Sequence, residues 1–126
     1  MTYRAYVVDK TGDTFSRGIR TLDESDLPEG NLTIRVVWSS VNYKDGLAAS
    51  ANGRVVRSYP MVPGVDLAGI VEDSQDSRFS KGDEVVVIGN DIGVAHPGGF
   101  AELARVPAEW AIHVPDGLSM KEAMAL

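Results

Sequence analysis

The chain is a succession of short β-branched and aromatic runs, each closed by a turn that contains glycine or proline. That punctuation constrains the fold more than any other property, because glycine and proline end regular elements where they fall. Tyr3 to Val8 is one such run, closed by Thr11-Gly12-Asp13, and Thr14 to Leu22 is its hairpin partner. Asp23 to Asn31, with Pro28 and Gly30, is a connection. Leu32 to Val41 is the clearest strand: Leu32, Ile34, Val36 and Trp38 share one face, and Val37 opposite implies partial burial of both. Asn42 to Ser50 is the one helical segment before the C-terminal end, weakened by Gly46.

Ala51 to Met61 reads as a loop and Pro63-Gly64 as a turn into a strand over Val65 to Asp73. Ser74 to Ser80 connects to the turn Lys81-Gly82-Asp83, which leads into the strand Glu84 to Ile88. Gly89 to Gly99 holds four glycines and a proline and is a loop, followed by strands over Phe100 to Val106 and Trp110 to Val114. Short strands between such turns predict a mainly β fold with short helices, a barrel or a sandwich.

At the C-terminal end, Pro115-Asp116-Gly117 is a turn, and Ser119 with Glu122 forms a capping box that starts a helix running to Leu126. Isolated helices shorter than about 12 residues are marginal in water, and Ala123 to Leu126 is fully apolar. The expectation is an N-terminal part of a longer protein.

A length of 126 residues suits one domain, and 44% hydrophobic residues suffice for a single core. The net charge of −6 argues against a general nucleic-acid surface. No run approaches the roughly 18 apolar residues of a membrane span, so no membrane partner is expected. The opening MTYRAYVVDKTGD has no apolar stretch of signal-peptide type. With no cysteine in the chain, disulfides and thiolate metal ligands are excluded. These features together point to a cytoplasmic location, which makes the sequon Asn31-Leu32-Thr33 accidental.

Independent catalytic motifs are missing: there is no G-x-G-x-x-G after a strand, no P-loop and no G-x-S-x-G elbow. His96 and His113 lack ligand-like spacing and read as structural or solvated. Asp45 and Asp66 have two open readings. They are either paired carboxylates for acid/base work, or Asp45 supports the short helix while Asp66 bonds a backbone amide. Lys44, Asp45, Arg54 and Arg57 sum to +2, which marks either a solvated loop or an attraction for a phosphate-bearing ligand.

Five strings stand in register from Ser39 to Leu126, within a likeness that spans residues 3 to 126: SSVNYKDGLA, PMVPGVDLAGIV, KGDEVVV, GGFAE and VPDGLSMKEAMAL. Their order and spacing resemble the medium-chain dehydrogenase/reductase superfamily, and N-Y-K-D with G-V-D-L-A-G-x-V is similar to its zinc-free acryloyl-CoA reductase and quinone oxidoreductase subgroup. In zinc-dependent members a cysteine stands where Asn42 falls here, three residues before a shared Asp45, and a G-H-E motif becomes Gly64, Val65 and Asp66. An amide and an isopropyl group thus replace a thiolate and an imidazole, the best zinc ligands.

The resemblance implies that residues 1–126 form the N-terminal part of a GroES-like β-barrel catalytic domain, with 118–126 starting the helix toward a Rossmann domain absent from this chain. It implies zinc-free reduction by NADPH of an α,β-unsaturated carbonyl such as acryloyl-CoA, or of a quinone, by a full-length homodimer. This chain alone is expected to be inactive, since the Rossmann half would hold most of the cofactor.

By the same resemblance, the catalytic residues are Asn42, Tyr43 and Asp45. Tyr43 borders NADP, Asn42 orients the nicotinamide or a substrate carbonyl, and Lys44 assists anion binding. Asp45 organises its loop, Val65 and Asp66 line the substrate pocket, and no residue holds a metal. Asn42 or Tyr43 would supply the hydrogen-bond donor for the developing enolate. The alternative is a free-standing GroES-like binding module acting through protein contacts, which the C-terminal helix and the poorly apolar Gly89–Gly99 loop disfavour.

Overall fold

The first hairpin is set by a two-residue turn in which Gly12 takes a φ of 60°, the positive value that tight hairpin turns need. It joins β1 (Thr2–Thr11) to β2 (Thr14–Asp23) in a register from Thr2 opposite Asp23 to Thr11 opposite Thr14. In this computed structural model, which describes residues 1–125, five more strands follow. They are β3 (Leu32–Trp38), β4 (Asp66–Ser74), β5 (Glu84–Ile88), β6 (Leu103–Val106) and β7 (Ala111–His113). These five form one antiparallel sheet in the order β6-β3-β4-β5-β7. Two short helices, α1 (Tyr43–Ala48) and α2 (Met120–Ala125), complete the described chain. The result is the mainly β arrangement with short helices expected from the sequence. The last residue of the anticipated C-terminal helix, Leu126, lies outside the described residues.

Alternation along the central strands builds the core. Leu67 in β4 and Val85 and Val87 in β5 point into the main cluster with Leu32, Ile34, Val71, Phe79 and Val106. The intervening Ala68 and Val86 face the other way and are covered by Met124 of α2. Each fully buried leucine, isoleucine or valine contributes roughly 1.5–3 kcal/mol relative to exposure. A third cluster, Tyr3, Ala5, Val7, Val62 and Leu103, fastens the hairpin to the sheet.

Four expectations need correction. Phe100 to Val106 is not one uniform strand, because the segment changes partners along its length. Tyr6 N–H donates to Phe100 O at 2.8 Å and Glu102 N–H to Arg4 O at 2.9 Å, after which β6 pairs with β3. Trp38, placed by alternation on the buried face, is 42% exposed. A register shift between Val36 and Trp38 reverses the side-chain sense at the end of β3. That strand also stops before Val41, because Ser39 and Ser40 turn their hydroxyls onto Asp66. Trp110 belongs to a 3₁₀ turn, Ala108–Trp110, that precedes β7. Asn31, of the sequon, accepts the Ala108 N–H at 2.7 Å. Among the described residues, no helix is long and apolar enough to cross a membrane.

Candidate active site

Two carboxylates organise the region between β3, α1 and β4. Asp45, in the first turn of α1, is 3% exposed. Its Oδ2 accepts the Asn42 N–H at 2.9 Å, and its Oδ1 accepts Gly64 N–H at 3.1 Å and Val65 N–H at 3.3 Å. The carboxylate therefore starts α1 and ties it to the chain that enters β4, with three backbone donors satisfied by one side chain. Asp66, the first residue of β4, accepts the Ser40 hydroxyl at 2.6 and 2.7 Å and the Ser40 N–H at 3.2 Å. Its own carbonyl accepts the Ser39 hydroxyl at 2.8 Å.

Asn42 sits between the two carboxylates. Its Nδ2 lies 3.1 Å from Ser40 Oγ, 3.3 Å from Asp66 Oδ2 and 3.4 Å from Asp45 Oδ2. This orientation of the amide is the one electrostatics favours, since the opposite one would set Oδ1 against two carboxylates. Its side-chain oxygen faces the Asp45 N–H in the capping box that starts α1. Asn42 thus turns its donors toward the two carboxylates.

The turn before β4 is held by backbone packing against the glycine-rich loop. Gly64 has a φ of 109°, and a Cβ on Gly98 would collide with the Gly64 carbonyl and stand 2.8 Å from Gly93. Gly99 N–H donates to Gly64 O at 3.0 Å and Gly89 N–H to Val65 O at 2.9 Å. The Gly89–Gly99 segment, read from sequence as a plain loop, is therefore the wall behind Val65 and Asp66.

Tyr43 is 83% exposed at the start of α1, so its hydroxyl is free to meet a ligand. Lys44 and Val65 line a cavity of about 370 Å³ with Arg57, Asn90, Asp91 and Trp110. The structure brings Asn42, Asp45 and Asp66 into one network, with Tyr43, Lys44 and Val65 at its rim. Sequence reasoning missed Ser40, whose hydroxyl bonds both Asp66 oxygens, although it lies inside the SSVNYKD string. Both histidines reach main-chain carbonyls: His96 Nε2 lies 2.7 Å from Arg105 O, and His113 Nε2 3.0 Å from Arg78 O.

Zinc does not fit these residues. Val65 offers no donor atom, Asn42 turns N–H groups toward Asp66, and both Asp45 oxygens are taken by N–H donors. Among the described residues no three His, Cys, Asp or Glu side chains gather as a metal-holding group. A dinucleotide fits better, since the Asn42 carbonyl, the Tyr43 hydroxyl and the Lys44 ammonium together offer an acceptor and two donors at an open rim.

Comparison with known proteins identifies the family and the fold. The profile of the "Alcohol dehydrogenase GroES-like domain" matches residues 28–116. "Acrylyl-CoA reductase AcuI" of Ruegeria pomeroyi is 46% identical over 98% of this chain and 38% of its own length. The crystal structure of Escherichia coli K-12 YHDH with bound NADPH superposes with a TM-score of 0.92 at 45% identity, over 95% of this chain and 37% of that one. That of Bacillus subtilis yhfP with NAD bound gives 0.94 at 43% identity, over 98% of this chain and 38% of that one. The chain thus spans less than two fifths of the length of each of these relatives.

Proposed function

The chain belongs to the alcohol dehydrogenase GroES-like domain family, and on that premise we propose that it is the catalytic domain of a zinc-free, NADPH-dependent reductase. The substrate is an α,β-unsaturated carbonyl such as acryloyl-CoA, or a quinone. A further domain holds most of the dinucleotide, since these 126 residues carry no G-x-G-x-x-G motif. The observation that carries the reading is the Asn42 amide, held between Asp66 and Asp45 where zinc enzymes of the family place a cysteine.

NADPH supplies the hydride. The chain's part is to orient and to stabilise charge. Asn42 Oδ1 accepts from the cofactor's carboxamide, while Asp66, Ser40 and Asp45 lock the amide against rotation. Hydride addition to the β-carbon leaves negative charge on the substrate's carbonyl oxygen. Because both Asn42 N–H groups face inward, the exposed donor, the Tyr43 hydroxyl, takes that charge. Water or the Tyr43 hydroxyl then returns a proton to the α-carbon. Val65 lines the pocket with apolar surface. Asp45 acts as a positioning residue, through α1 and the Gly64–Val65 backbone.

The supporting assay is NADPH oxidation at 340 nm by the protein carrying this domain, with acryloyl-CoA against quinones. Oxidation dependent on one of them is expected, and Tyr43→Phe lowers kcat/KM by about tenfold or more. An unchanged kcat/KM removes Tyr43 from the mechanism, and no oxidation with any enone or quinone removes the reading itself.

A further inference from the structure

The cavity beside the Asn42 network has a charge opposite to that of the protein. It measures about 370 Å³, within the range of small-molecule sites. Two cations from separate segments, Lys44 of α1 and Arg57 of the 51–61 loop, converge on it, with Asp91 as the one carboxylate in its lining. The lining thus carries +1 (two positive, one negative) in a chain of net charge −6.

Asp91 does not satisfy these cations. It lies 3.8 Å from Arg57 Nη1, with both side chains more than half exposed, a separation beyond hydrogen-bond geometry. Lys44 has no carboxylate within 4 Å among the described residues. Arg57 is instead held by its backbone, whose N–H donates to Val94 O at 2.9 Å.

The opposite rim is shaped by a conformation that side chains rarely adopt. Gly89, Asn90 and Asp91 are consecutive left-handed residues, with φ of 72°, 58° and 70°. Asn and Asp tolerate this region better than other residues, but at a cost. Among the described residues the N–H groups of Asn90 and Asp91 donate to no protein acceptor. Trp110, which packs on the main core and edge-to-face with His96, lines the cavity, and Val65 connects it to the Asp45 network.

We propose that this cavity is a subsite for a phosphate ester, held by Lys44 and Arg57 with the free N–H groups of Asn90 and Asp91, and with its organic part against Trp110. The subsite deepens the reductase reading and rests on it for the source of the phosphate, which is either the phosphorylated tail of an acyl thioester or the dinucleotide. Cations beside an indole suit a nucleotide end, because guanidinium and ammonium groups bind phosphate and an indole packs against a base.

The test reads binding without turnover. The protein carrying this domain is titrated with adenosine 3′,5′-bisphosphate, NADP and adenosine, following the Trp110 indole N–H by NMR. The bisphosphate is expected to shift that resonance with an affinity that falls as salt is raised, and adenosine is expected to bind at least about tenfold more weakly. Arg57→Gln and Lys44→Gln each weaken the bisphosphate about tenfold, and Arg57→Lys recovers part of the loss. Both side chains are exposed, so the variants keep the wild-type spectrum elsewhere.

If NADP shifts Trp110 more strongly than the bisphosphate, with the same dependence on Arg57, the subsite stands and its phosphate belongs to the dinucleotide. Equal binding of adenosine and its bisphosphate overturns the proposal, as does an affinity indifferent to Arg57 and Lys44. A protein that reduces enones but fails this titration loses the subsite alone. One that binds the bisphosphate through Arg57 yet reduces nothing loses the reductase reading and keeps the subsite.

Discussion

Asn42 holds its amide nitrogen 3.3 Å from Oδ2 of Asp66, joining the start of α1 to the start of β4 across the centre of the candidate site. The contact has a direction. An amide donates through nitrogen alone, so the two carboxylates around Asn42 decide which of its ends faces a ligand.

Replacing that amide with a carboxylate should therefore cost more than deleting it. Asn42→Asp sets a third negative charge against Asp66 and Asp45, and is expected to lose about 2 kcal/mol more stability than Asn42→Ala. Part of the difference returns on acidification, as protonation removes the added charge. Urea denaturation of the two variants at two pH values measures this, and equal losses at neutral pH would show that Nδ2 does not face the carboxylates.

Asp45 is predicted to act on stability before chemistry. Asp45→Ala strands the N–H groups of Asn42, Gly64 and Val65, at a cost of about 3 kcal/mol and a fall in Tm on the order of 10 °C. Asp45→Asn keeps one acceptor oxygen and should lose less. Calorimetry on both variants is the check, and an unchanged Tm in Asp45→Ala would mean water satisfies those donors equally well.

Two glycines should respond with opposite sign to the same substitution. A Cβ on Gly98 meets the Gly64 carbonyl and the Gly93 backbone, so Gly98→Ala is expected to cost about 1–3 kcal/mol and loosen the turn before Asp66. A Cβ on Gly46, within α1, meets nothing within 4 Å, so Gly46→Ala should stabilise by about 0.5–1 kcal/mol. Thermal melts of the pair decide, and a destabilised Gly46→Ala would count against α1 as a formed helix.

Much of this architecture was legible from local signals. β2, β4 and β5 fall within one residue of the runs that turn residues delimit, and β1 runs three residues further than its run. The misplaced side chain, Trp38, follows a register shift that alternation cannot register. Phe100 to Glu102 pairs with a strand nearly 100 positions earlier, so nothing in the local pattern could mark the change of partner. At the site, Asn42 and Asp45 were found through their resemblance to a motif. Ser40 was not given a role, because a serine beside a strand end becomes informative only when its partner, Asp66, is seen opposite it. The inward turn of the Asn42 amide likewise depends on two carboxylates, 3 and 24 residues away in sequence.

Away from the site, the Arg78 guanidinium forks onto both oxygens of Asp76 at 2.9 and 2.8 Å, and these side-chain bonds hold the carboxyl pKa down to about 2 from 3.8. A depressed carboxyl favours the folded state above its unfolded pKa, and this contribution is lost as pH falls through the folded value. The window here runs from 3.8 down to about 2. An NMR titration of the Asp76 carboxyl carbon should show a midpoint near 2, moving toward 3.8 in Arg78→Ala. A wild-type midpoint of 3.8 would mean the fork is open in solution.

The most direct test of zinc-free reduction is the rate of NADPH oxidation by the protein carrying this domain, measured before and after dialysis against a strong zinc chelator. The account predicts the same kcat/KM in both, bound zinc far below one atom per chain, and no gain when zinc is restored. A rate abolished by the chelator and recovered with zinc would contradict it, and would require a metal site that Asn42, Val65 and Asp66 do not form.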